Sequence, residues 1–307
     1  MSKLGLIDAY LQTDPGRIRD HNEDFVDCLE PTTVEDESKN GWLYIVADGV
    51  GGADAGEVAS KYASEQVIEH YLAHNGESNW GQRLLNAMQE ANTNLRQFVA
   101  NRNDNSRMAT TMVAAVIDDE RVFIGNVGDS RGYHWCRDTL IQVTRDQSLV
   151  AKLLEEGAIT EEEALKHPRK NVILYSLGSE RLPKIDLFEL FWQPGDMLVL
   201  CSDGLTKHVS DEEIGATVSR ETPQAAANHL IQLANQRGGE DNISVIVIRY
   251  GTQAAARVAS QAAARVTSQA PTTITLGSER LLLWLYTIVL SLVQSFLILL
   301  AWLLLRV

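Results

Sequence analysis

A buried strand that ends in an acid and then in glycines stands near the start of the chain and constrains the fold more than any other feature. Residues 44–52 read YIVADGVGG, and the apolar run at 43–46 is typical of a buried strand. The strand would hold Asp48 at its end, and the glycines let the backbone approach whatever Asp48 binds, because they lack a Cβ. This arrangement suits a hard cation or a phosphate, although a D-G pair is also a common hairpin signal.

The same kind of corner recurs twice later in the chain. The tripeptide S-D-G follows one apolar run and G-G-E-D-N precedes another, and the acids of these corners are Asp203 and Asp241. Asp24 stands at the start of a further predicted strand, and Asp146 closes another. The repetition makes a simple hairpin turn a poor explanation for all of them.

Several acids at strand ends point to bound cations. Converging carboxylates raise one another's pKa, and divalent ions remove that repulsion. Ligand sets made only of oxygen select Mg²⁺ or Mn²⁺ over zinc, and two such ions about 3.5–4 Å apart can activate water for in-line displacement at phosphorus. Arginine supplies a planar fork for phosphate oxygens, and the candidates are Arg19 and Arg17 in the charged loop before Asp24.

Charge and cysteine content exclude several classes of function. The formal net charge is −14, but residues 1–250 hold 23 basic and 40 acidic side chains and so carry −17. Such a domain should repel nucleic acid, and no nucleic-acid partner is expected. The three cysteines follow neither a zinc nor a disulfide spacing, which favours a reducing compartment. The first ten residues lack a long apolar core, so no signal peptide is expected.

Hydrophobic periodicity predicts an α+β chain. Apolar residues recur every three or four positions at 59–71 and at 84–98, which indicates two helices that face a core. Ser210 and Glu213 have the spacing of a capping box at the start of a later helix. Residues 147–180 interrupt the strand pattern and are predicted to form an inserted, mobile flap. The main strands are predicted at 4–12, 25–29, 110–117, 121–126, 185–190, 196–201 and 243–248.

Six short motifs, taken in order, resemble those of one enzyme family. They are R-x-x-x-E-D from residue 19, A-D-G-x-G-G from 47, T-T at 110, G-D-S-R at 128, S-D-G-L at 202 and G-x-D-N-I at 239. Each motif is weak alone, whereas six in this order at fitting separations are specific. Over residues 4 to about 250 the chain resembles the metal-dependent protein phosphatases, the type 2C serine/threonine group, in their compact bacterial form.

The resemblance implies both a fold and a reaction. The fold would be a four-layer αββα sandwich, in which two central β-sheets are flanked by helix pairs. The reaction would be hydrolysis of phosphoserine and phosphothreonine on proteins, with Mg²⁺ or Mn²⁺ in two core sites and a third, weaker site. Phosphoproteins are then the expected substrates, and a serine/threonine kinase is a candidate partner because phosphatases of this family often oppose one.

The resemblance also assigns the ions to oxygen ligands. Asp48 would bridge the two core ions, and Asp203 and Asp241 would hold one of them. Asp24 would act mainly through water, and Asp146 with Asp203 would match the weaker third site. The implied metal ligands are Asp24, Asp48, the Gly49 backbone carbonyl, Asp146, Asp203 and Asp241.

Phosphate binding and proton donation complete what the resemblance implies. Arg19 would bind the substrate phosphate. Many relatives carry a histidine shortly after the A-D-G-x-G-G glycines, which is a favoured proton donor to the leaving alkoxide, but Ala53 and Asp54 follow here. Metal-bound water would then protonate the seryl oxygen. The implied catalytic residues are Arg19, Asp48, Asp203 and Asp241.

The composition changes beyond residue 250, where the predicted catalytic domain (1–250) ends. Residues 251–280 are rich in Ala, Gln, Ser and Thr and hold no aromatic residue, so they are predicted to be a linker. Residues 281–305 contain no charge, and as a helix of about 37 Å they could span a hydrocarbon core of about 30 Å with tilt. They are predicted to be a transmembrane tail anchor with the catalytic domain in the cytoplasm, because Arg257, Arg265 and Arg280 precede the span.

Two functions from different classes fit these observations. The first is a membrane-tethered phosphoprotein phosphatase. The second is a non-catalytic module that uses the same groove to bind phosphopeptides or to regulate a kinase. The intact set of acids favours the first, because a module without catalysis would be expected to lose at least one metal ligand.

Overall fold

The computed structural model describes residues 2–51, 53–77, 79–102, 108–118 and 120–251, which form ten strands and eight helices. The strands are β1 (Ile7–Asp14), β2 (Asp24–Leu29), β3 (Trp42–Val50), β4 (Ala109–Asp118), β5 (Arg121–Val127), β6 (Arg131–Cys136), β7 (Thr139–Gln142), β8 (Asp186–Phe191), β9 (Met197–Cys201) and β10 (Ile243–Tyr250). The helices are α1 (Val34–Asn40), α2 (Ala53–Ala73), α3 (Trp80–Arg102), α4 (Leu149–Glu155), α5 (Glu161–Leu165), α6 (Asp203–Thr206), α7 (Asp211–Arg220) and α8 (Pro223–Gln236).

The strands form two sheets of five, and neighbouring strands pair antiparallel throughout. One sheet has the order β1-β10-β9-β6-β7, and the other has the order β2-β3-β4-β5-β8. Strand β3 lies inside its sheet and is buried on both faces, which explains why its sequence is continuously apolar and does not alternate.

Three apolar layers fill the spaces between the helices and the sheets. Tyr44 and Val46 point into the layer between the sheets, where Leu200 and Ile246 of the other sheet join them. The residues that alternate with them on β3, such as Ile45, point to the opposite face and pack against α2 and α3. On the far side, α7 and α8 cover the outer face of the other sheet. These layers form the predicted αββα sandwich, which is therefore confirmed.

The predicted helices and the predicted start of α7 are also confirmed. Every apolar residue of the stripe from Ala59 to Tyr71 is fully buried on α2. Ser210 and Glu213 form the predicted capping box, in which each side chain accepts a hydrogen bond from the other residue's backbone N–H. Thr222 caps α8, and Pro223 occupies its first turn, where a missing N–H has no cost.

Helix α1 was not predicted, because its sequence VEDESKN has no apolar stripe. Its ends stabilise it instead. The Thr33 side chain accepts a hydrogen bond from the Asp36 N–H, and acidic residues in the first turn interact favourably with the helix dipole. Periodicity detects helices that face a core, so a short polar helix escapes it.

Two predicted strands have the wrong ends. Strand β1 runs over Ile7–Asp14 and not over residues 4–12. Strand β7 stops at Gln142, so Asp146 lies in the loop that follows and does not close the strand. Regular strand pairing stops here because the backbone N–H groups of Val143 and Thr144 both donate to the Gly132 carbonyl, at 2.8 and 3.4 Å. A sequence pattern registers apolar residues but not the point at which pairing ends.

The linker and the membrane span fall beyond the described part of the chain. Within the described ranges, no helix has the length and apolar character needed to cross a bilayer. The predicted linker after residue 251 and the predicted span at 281–305 lie outside the described residues, so both stay predictions.

Candidate active site

Carboxylates from both sheets meet where the strand ends come together. Asp24 begins β2 and lies directly opposite Asp48 on β3. Ser202 directly follows β9 of the other sheet, and its hydroxyl donates to Asp24 Oδ2 at 2.7 Å and accepts from the Ser244 N–H of β10 at 2.9 Å. Ser202 therefore joins the two sheets at the predicted site, a role that its motif alone did not reveal.

Close backbone packing brings Asp203 and Asp241 to the same place. Gly204 lies so near the next corner that a Cβ there would be 1.9 Å from the Asn242 carbonyl oxygen. Only glycine fits at this distance. The glycine of S-D-G therefore allows the two corners to touch, and it brings their two acids together.

Asn242 fastens the charged loop between β1 and β2 to the site. Its Oδ1 accepts from the Glu23 N–H at 2.8 Å, and its Nδ2 donates to the carbonyls of Pro15 and His21 at 3.0 and 2.9 Å. Arg19 belongs to this loop, and its Nη2 lies 2.9 Å from Asp241 Oδ1. Because the Arg19 side chain is 48% exposed, its guanidinium stands at the rim of the cluster and within reach of a ligand.

Lys207 is a basic residue in the cluster that sequence reasoning missed. Its Nζ lies 2.7 Å from Asp203 Oδ2 and 2.8 Å from Asp241 Oδ2. Burial raises the pKa of Asp203, and the Lys207 ammonium opposes this increase. The available signal was its position four residues after Asp203, which in a helical turn places both side chains on one face.

The electrostatics show how closely these carboxylates lie. Burial raises the pKa of Asp24 to about 7, and the charges of Asp203 and Asp241 add to the increase. Burial likewise raises the pKa of Asp129 to about 7, with the charge of Asp203 next in importance. For Asp48, burial and then the charge of Asp24 raise the pKa well above its ordinary value. The folded protein therefore holds carboxylates that resist ionisation unless a cation compensates them.

Some carboxylate oxygens of the cluster are open, meaning that no hydrogen-bond donor contacts them, and this shows that the residues fit divalent ions. Asp24 Oδ1, Asp129 Oδ1 and Asp203 Oδ1 are buried and accept no hydrogen bond. Buried carboxylate oxygens without donors are costly, and hard cations are their usual partners. In the described part of the chain, no three acidic, histidine or cysteine side chains already close on one point. Ligation would therefore need side chains to move, and Lys207 occupies the space between two of them.

Gly49 follows Asp48 in a crowded backbone position. A Cβ on Gly49 would lie 2.3 Å from the Gly56 carbonyl oxygen and 2.6 Å from that of Glu23. Its N–H donates to the Glu23 carbonyl at 3.0 Å, and the Thr110 hydroxyl donates to the Asp48 carbonyl at 2.8 Å. The glycine thus holds the strand end against α2, and its role as a carbonyl ligand stays a prediction.

Comparison with known proteins identifies the family. The model of the protein phosphatase 2C family matches residues 22–237. The serine/threonine phosphatase stp of Listeria innocua is 39% identical over 258 residues, which cover 82% of this chain and 99% of that protein. The chain belongs to the protein phosphatase 2C family. The enzyme prediction, a protein serine/threonine phosphatase, is confirmed by this membership.

Solved structures of the family agree with the fold described above. Serine/threonine phosphatase Stp1 from Staphylococcus aureus superposes with a TM-score of 0.73 at 34% identity, covering 80% of this chain and 96% of that one. The catalytic domain of the phosphatase PstP in complex with two manganese ions gives a TM-score of 0.68 at 32% identity, covering 80% and 99%. A solved serine/threonine phosphatase with this fold therefore binds two manganese ions.

Asp129 is the second residue of the cluster that sequence reasoning missed. It lies in the G-D-S-R turn between β5 and β6, is 8% exposed and has an open Oδ1. The motif was recognised, but its acid was not considered as a ligand. The signal was present, because this is again an acid beside a glycine at a strand end.

Asp146, in contrast, is fully engaged with protein donors. Its Oδ1 lies 2.9 Å from Arg131 Nε, and its Oδ2 lies 2.7 Å from Arg131 Nη2, so the guanidinium binds both oxygens. Gln142 Nε2 also donates to Oδ1 at 2.9 Å. A bidentate arginine pair is among the stronger ion pairs. The role of Asp146 as a ligand of the third site therefore stays a prediction. Asp129 is the neighbouring acid that has an oxygen without a hydrogen-bond donor.

The raised pKa values predict an unusual pH dependence of stability. In EDTA, we expect the unfolding temperature to fall as the pH rises from about 5 to about 8. Asp24 and Asp129 have an ordinary pKa of 3.8 and a folded pKa of about 7, so the folded state binds more protons in this window. Their stabilising effect is complete below pH 3.8 and is lost as the pH passes 7. Thermal unfolding followed by circular dichroism measures the unfolding temperature across this pH range.

The matched variant is Asp24→Asn, in which the pH dependence should become flatter because one titrating carboxylate is gone. Mn²⁺ should reverse the slope in the native protein, since only ionised carboxylates bind the ion. An unfolding temperature that rises between pH 5 and 8 in EDTA would contradict the clustering of these acids.

Proposed function

We propose that the chain hydrolyses phosphoserine and phosphothreonine on proteins with two divalent ions held by its carboxylate cluster, and that a third ion binds more weakly. One observation carries this proposal: three buried carboxylate oxygens, on Asp24, Asp129 and Asp203, have no donor and point to a cation. The ions bound in the PstP structure support it. When bound, such ions supply a low-pKa water as nucleophile and neutralise charge on the phosphate.

The chain's own residues bind and orient the reactants. Asp48 would hold both core ions from its fixed place on β3, with the Gly49 carbonyl beside it. Asp203 and Asp241 would hold one ion, and Asp24 would orient water through its open Oδ1. Each of these groups sits on a strand end or a short turn, so the site needs little rearrangement of the backbone.

Arg19 is the residue we assign to the substrate phosphate. Its guanidinium lies at the rim and now pairs with Asp241, and an exposed ion pair of this kind is weak enough to exchange. A phosphate offers two oxygens to the planar fork, which a single carboxylate oxygen does not. Both Mg²⁺ and Mn²⁺ suit the oxygen ligands of the site.

The direct test is release of phosphate from a phosphopeptide with and without Mn²⁺. The purified protein should release phosphate only with the ion, and Asp203→Ala should lose activity by about 10²-fold or more because an ion ligand is lost. The matched control is Glu240→Ala, which removes an exposed acid from the same loop as Asp241 and should keep full activity. Activity that survives Asp203→Ala would argue against the metal mechanism.

The second candidate is a non-catalytic module that binds phosphopeptides or regulates a kinase. The complete set of acids and the open oxygens favour catalysis, because a binding module has no use for paired cations. Absence of phosphate release from the native protein, with intact binding of a phosphopeptide, would favour the module. Phosphoproteins are the proposed substrates in the first case, with a serine/threonine kinase as a candidate partner.

We also propose that residues 281–305 anchor the protein in a membrane with the catalytic domain on the cytoplasmic face. The charge-free run and the arginines before it support this proposal. The full chain should stay in the membrane fraction after washing at alkaline pH, and a chain that ends at residue 251 should become soluble and keep its activity. A full chain released by the wash would contradict the anchor.

A further inference from the structure

Lys207 holds a position between two acids of the cluster that the six motifs do not explain. Its Nζ bridges Asp203 Oδ2 and Asp241 Oδ2 at 2.7 and 2.8 Å, and its side chain is 29% exposed. The Lys207 N–H donates to the Asp203 carbonyl at 2.9 Å and ends α6. The backbone is therefore held in place, and the four-carbon side chain is the part that can move.

The two acids differ in the oxygens that they can still offer. Asp203 keeps Oδ1 open. Both oxygens of Asp241 are engaged, because Oδ1 lies 2.9 Å from Arg19 Nη2 and 3.1 Å from the Asn242 N–H, while Oδ2 accepts from Lys207. A cation can therefore bind Asp203 Oδ1 without competition, whereas at Asp241 it must share an oxygen with one of these donors or replace that donor.

Lys207 is the donor that an ion shared by both acids must replace. The Asn242 N–H belongs to a backbone segment packed against Gly204, so it cannot retreat. Arg19 contacts only Asp241 of the pair and approaches it from the rim. The ammonium alone lies between the two acids, and it carries the same sign of charge as the ion, so the two repel each other strongly at such short range.

We propose that Lys207 is a tethered cation that competes with a divalent ion for Asp203 and Asp241, and that ion binding moves its ammonium into solvent. This inference rests on the ion site of the proposed function. It has two consequences. Lys207 lowers the affinity of the site for the ion, and it relieves the repulsion between the two acids whenever no ion is bound.

The first test measures Mn²⁺ affinity by calorimetry on the full chain in detergent after treatment with EDTA. Lys207→Met removes the ammonium but keeps the side-chain length, and we expect it to bind Mn²⁺ about tenfold more tightly, which corresponds to about 1.4 kcal/mol. The unfolding temperature of this variant in EDTA should be lower than that of the native protein. Lys207→Arg keeps the charge and should keep the weaker affinity.

The matched control is Arg17→Gln. Arg17 lies beside Gly239 in the same region, and its Nε donates to the Asn235 carbonyl at 3.0 Å and not to the carboxylates of the cluster. Its removal changes the local charge by the same amount without opening Asp203 or Asp241. A general effect of charge would strengthen Mn²⁺ binding equally in both variants, whereas competition for the two acids affects Lys207→Met alone.

The second test uses the native protein and does not depend on a variant that folds. Lysine side chains are acylated at limiting reagent, with and without Mn²⁺, and the modified sites are measured by mass spectrometry. The displaced ammonium of Lys207 should react severalfold faster with Mn²⁺ present. Lys61, which is exposed on α2, serves as the internal reference and should not change.

The outcomes separate this inference from the proposed function. Faster labelling of Lys207 with Mn²⁺, together with tighter binding in Lys207→Met than in Arg17→Gln, would support the exchange. Saturable Mn²⁺ binding with unchanged labelling and equal affinities would overturn it and leave the phosphatase proposal standing. Failure of Mn²⁺ to bind any of the proteins would overturn both.

Discussion

Asp48→Asn is expected to abolish phosphate release and, at the same time, to raise the stability of the protein in EDTA. The activity should fall by about 10³-fold or more, or about 4 kcal/mol in the activation free energy, because Asp48 is the proposed bridge between the core ions. The stability should increase because burial and the neighbouring acids raise the pKa of Asp48 well above its ordinary value. Without bound ions the folded state therefore disfavours the ionised carboxylate, and asparagine replaces it with a neutral group of the same shape.

The direction of this change in stability follows from the linkage between pKa and folding. A pKa that is raised by folding means that ionisation of Asp48 lowers the stability of the folded state, so the neutral asparagine should raise the unfolding temperature near pH 8. Phosphate release and thermal unfolding in EDTA measure the two effects on the same samples.

Asp27→Asn is the matched control for this prediction. Asp27 lies on β2 in the same sheet, and burial raises its pKa too, but it lies outside the cluster and accepts a hydrogen bond from the Cys28 N–H. Its substitution should leave the activity unchanged. An Asp48→Asn protein that keeps its activity, or that unfolds at a lower temperature than the native protein in EDTA, would show that Asp48 is not the centre of the cluster.

Gly204→Ala is expected to destabilise the protein severely. The new Cβ would lie 1.9 Å from the Asn242 carbonyl oxygen and 2.9 Å from its carbonyl carbon, and these are backbone atoms that have no alternative rotamer. The two corners must separate, which should cost about 3 kcal/mol or more and lower the unfolding temperature by about 10 °C. Because the corners carry Asp203 and Asp241, Mn²⁺ should also recover less of the lost stability than it adds to the native protein.

The control for this prediction is Gly76→Ala. A Cβ at Gly76, in the turn between α2 and α3, would meet no atom within 4 Å, so its unfolding temperature should remain close to that of the native protein. An unfolding temperature for Gly204→Ala that matches this control would mean that the two corners are not in close contact, and the proposed sharing of ions by their acids would then lose its structural basis.

Local patterns predicted most of the scaffold correctly. The stripe on α2, the capping box of α7 and the placement of Asp24 at the start of β2 all depend on residues close in sequence. Side-chain periodicity and capping chemistry act over one or two turns, so they can be recognised in a single chain. Helix α1 was missed for the converse reason, because its stability comes from its ends and not from a buried face.

The acid–glycine corners were recognised from their chemistry alone. A carboxylate beside glycines at a strand end can be identified as a candidate ion ligand from residue type and order alone. The structure brings Asp24, Asp48, Asp203 and Asp241 to one region. The motif order was enough to suggest the family, and the comparisons confirm it.

The sharing of hydrogen bonds among the acids could not be predicted in the same way. Asp146 and Asp129 both follow a strand in the sequence, yet Arg131 binds both oxygens of Asp146, whereas Asp129 Oδ1 has no hydrogen-bond donor. Lys207 bridges Asp203 and Asp241 only because Gly204 packs against the next corner. Residue types and their local order therefore determined which acids are candidate ion ligands. Which of their oxygens remain without a hydrogen-bond donor depends on contacts between distant strand ends, because such contacts exist only after the two sheets have packed.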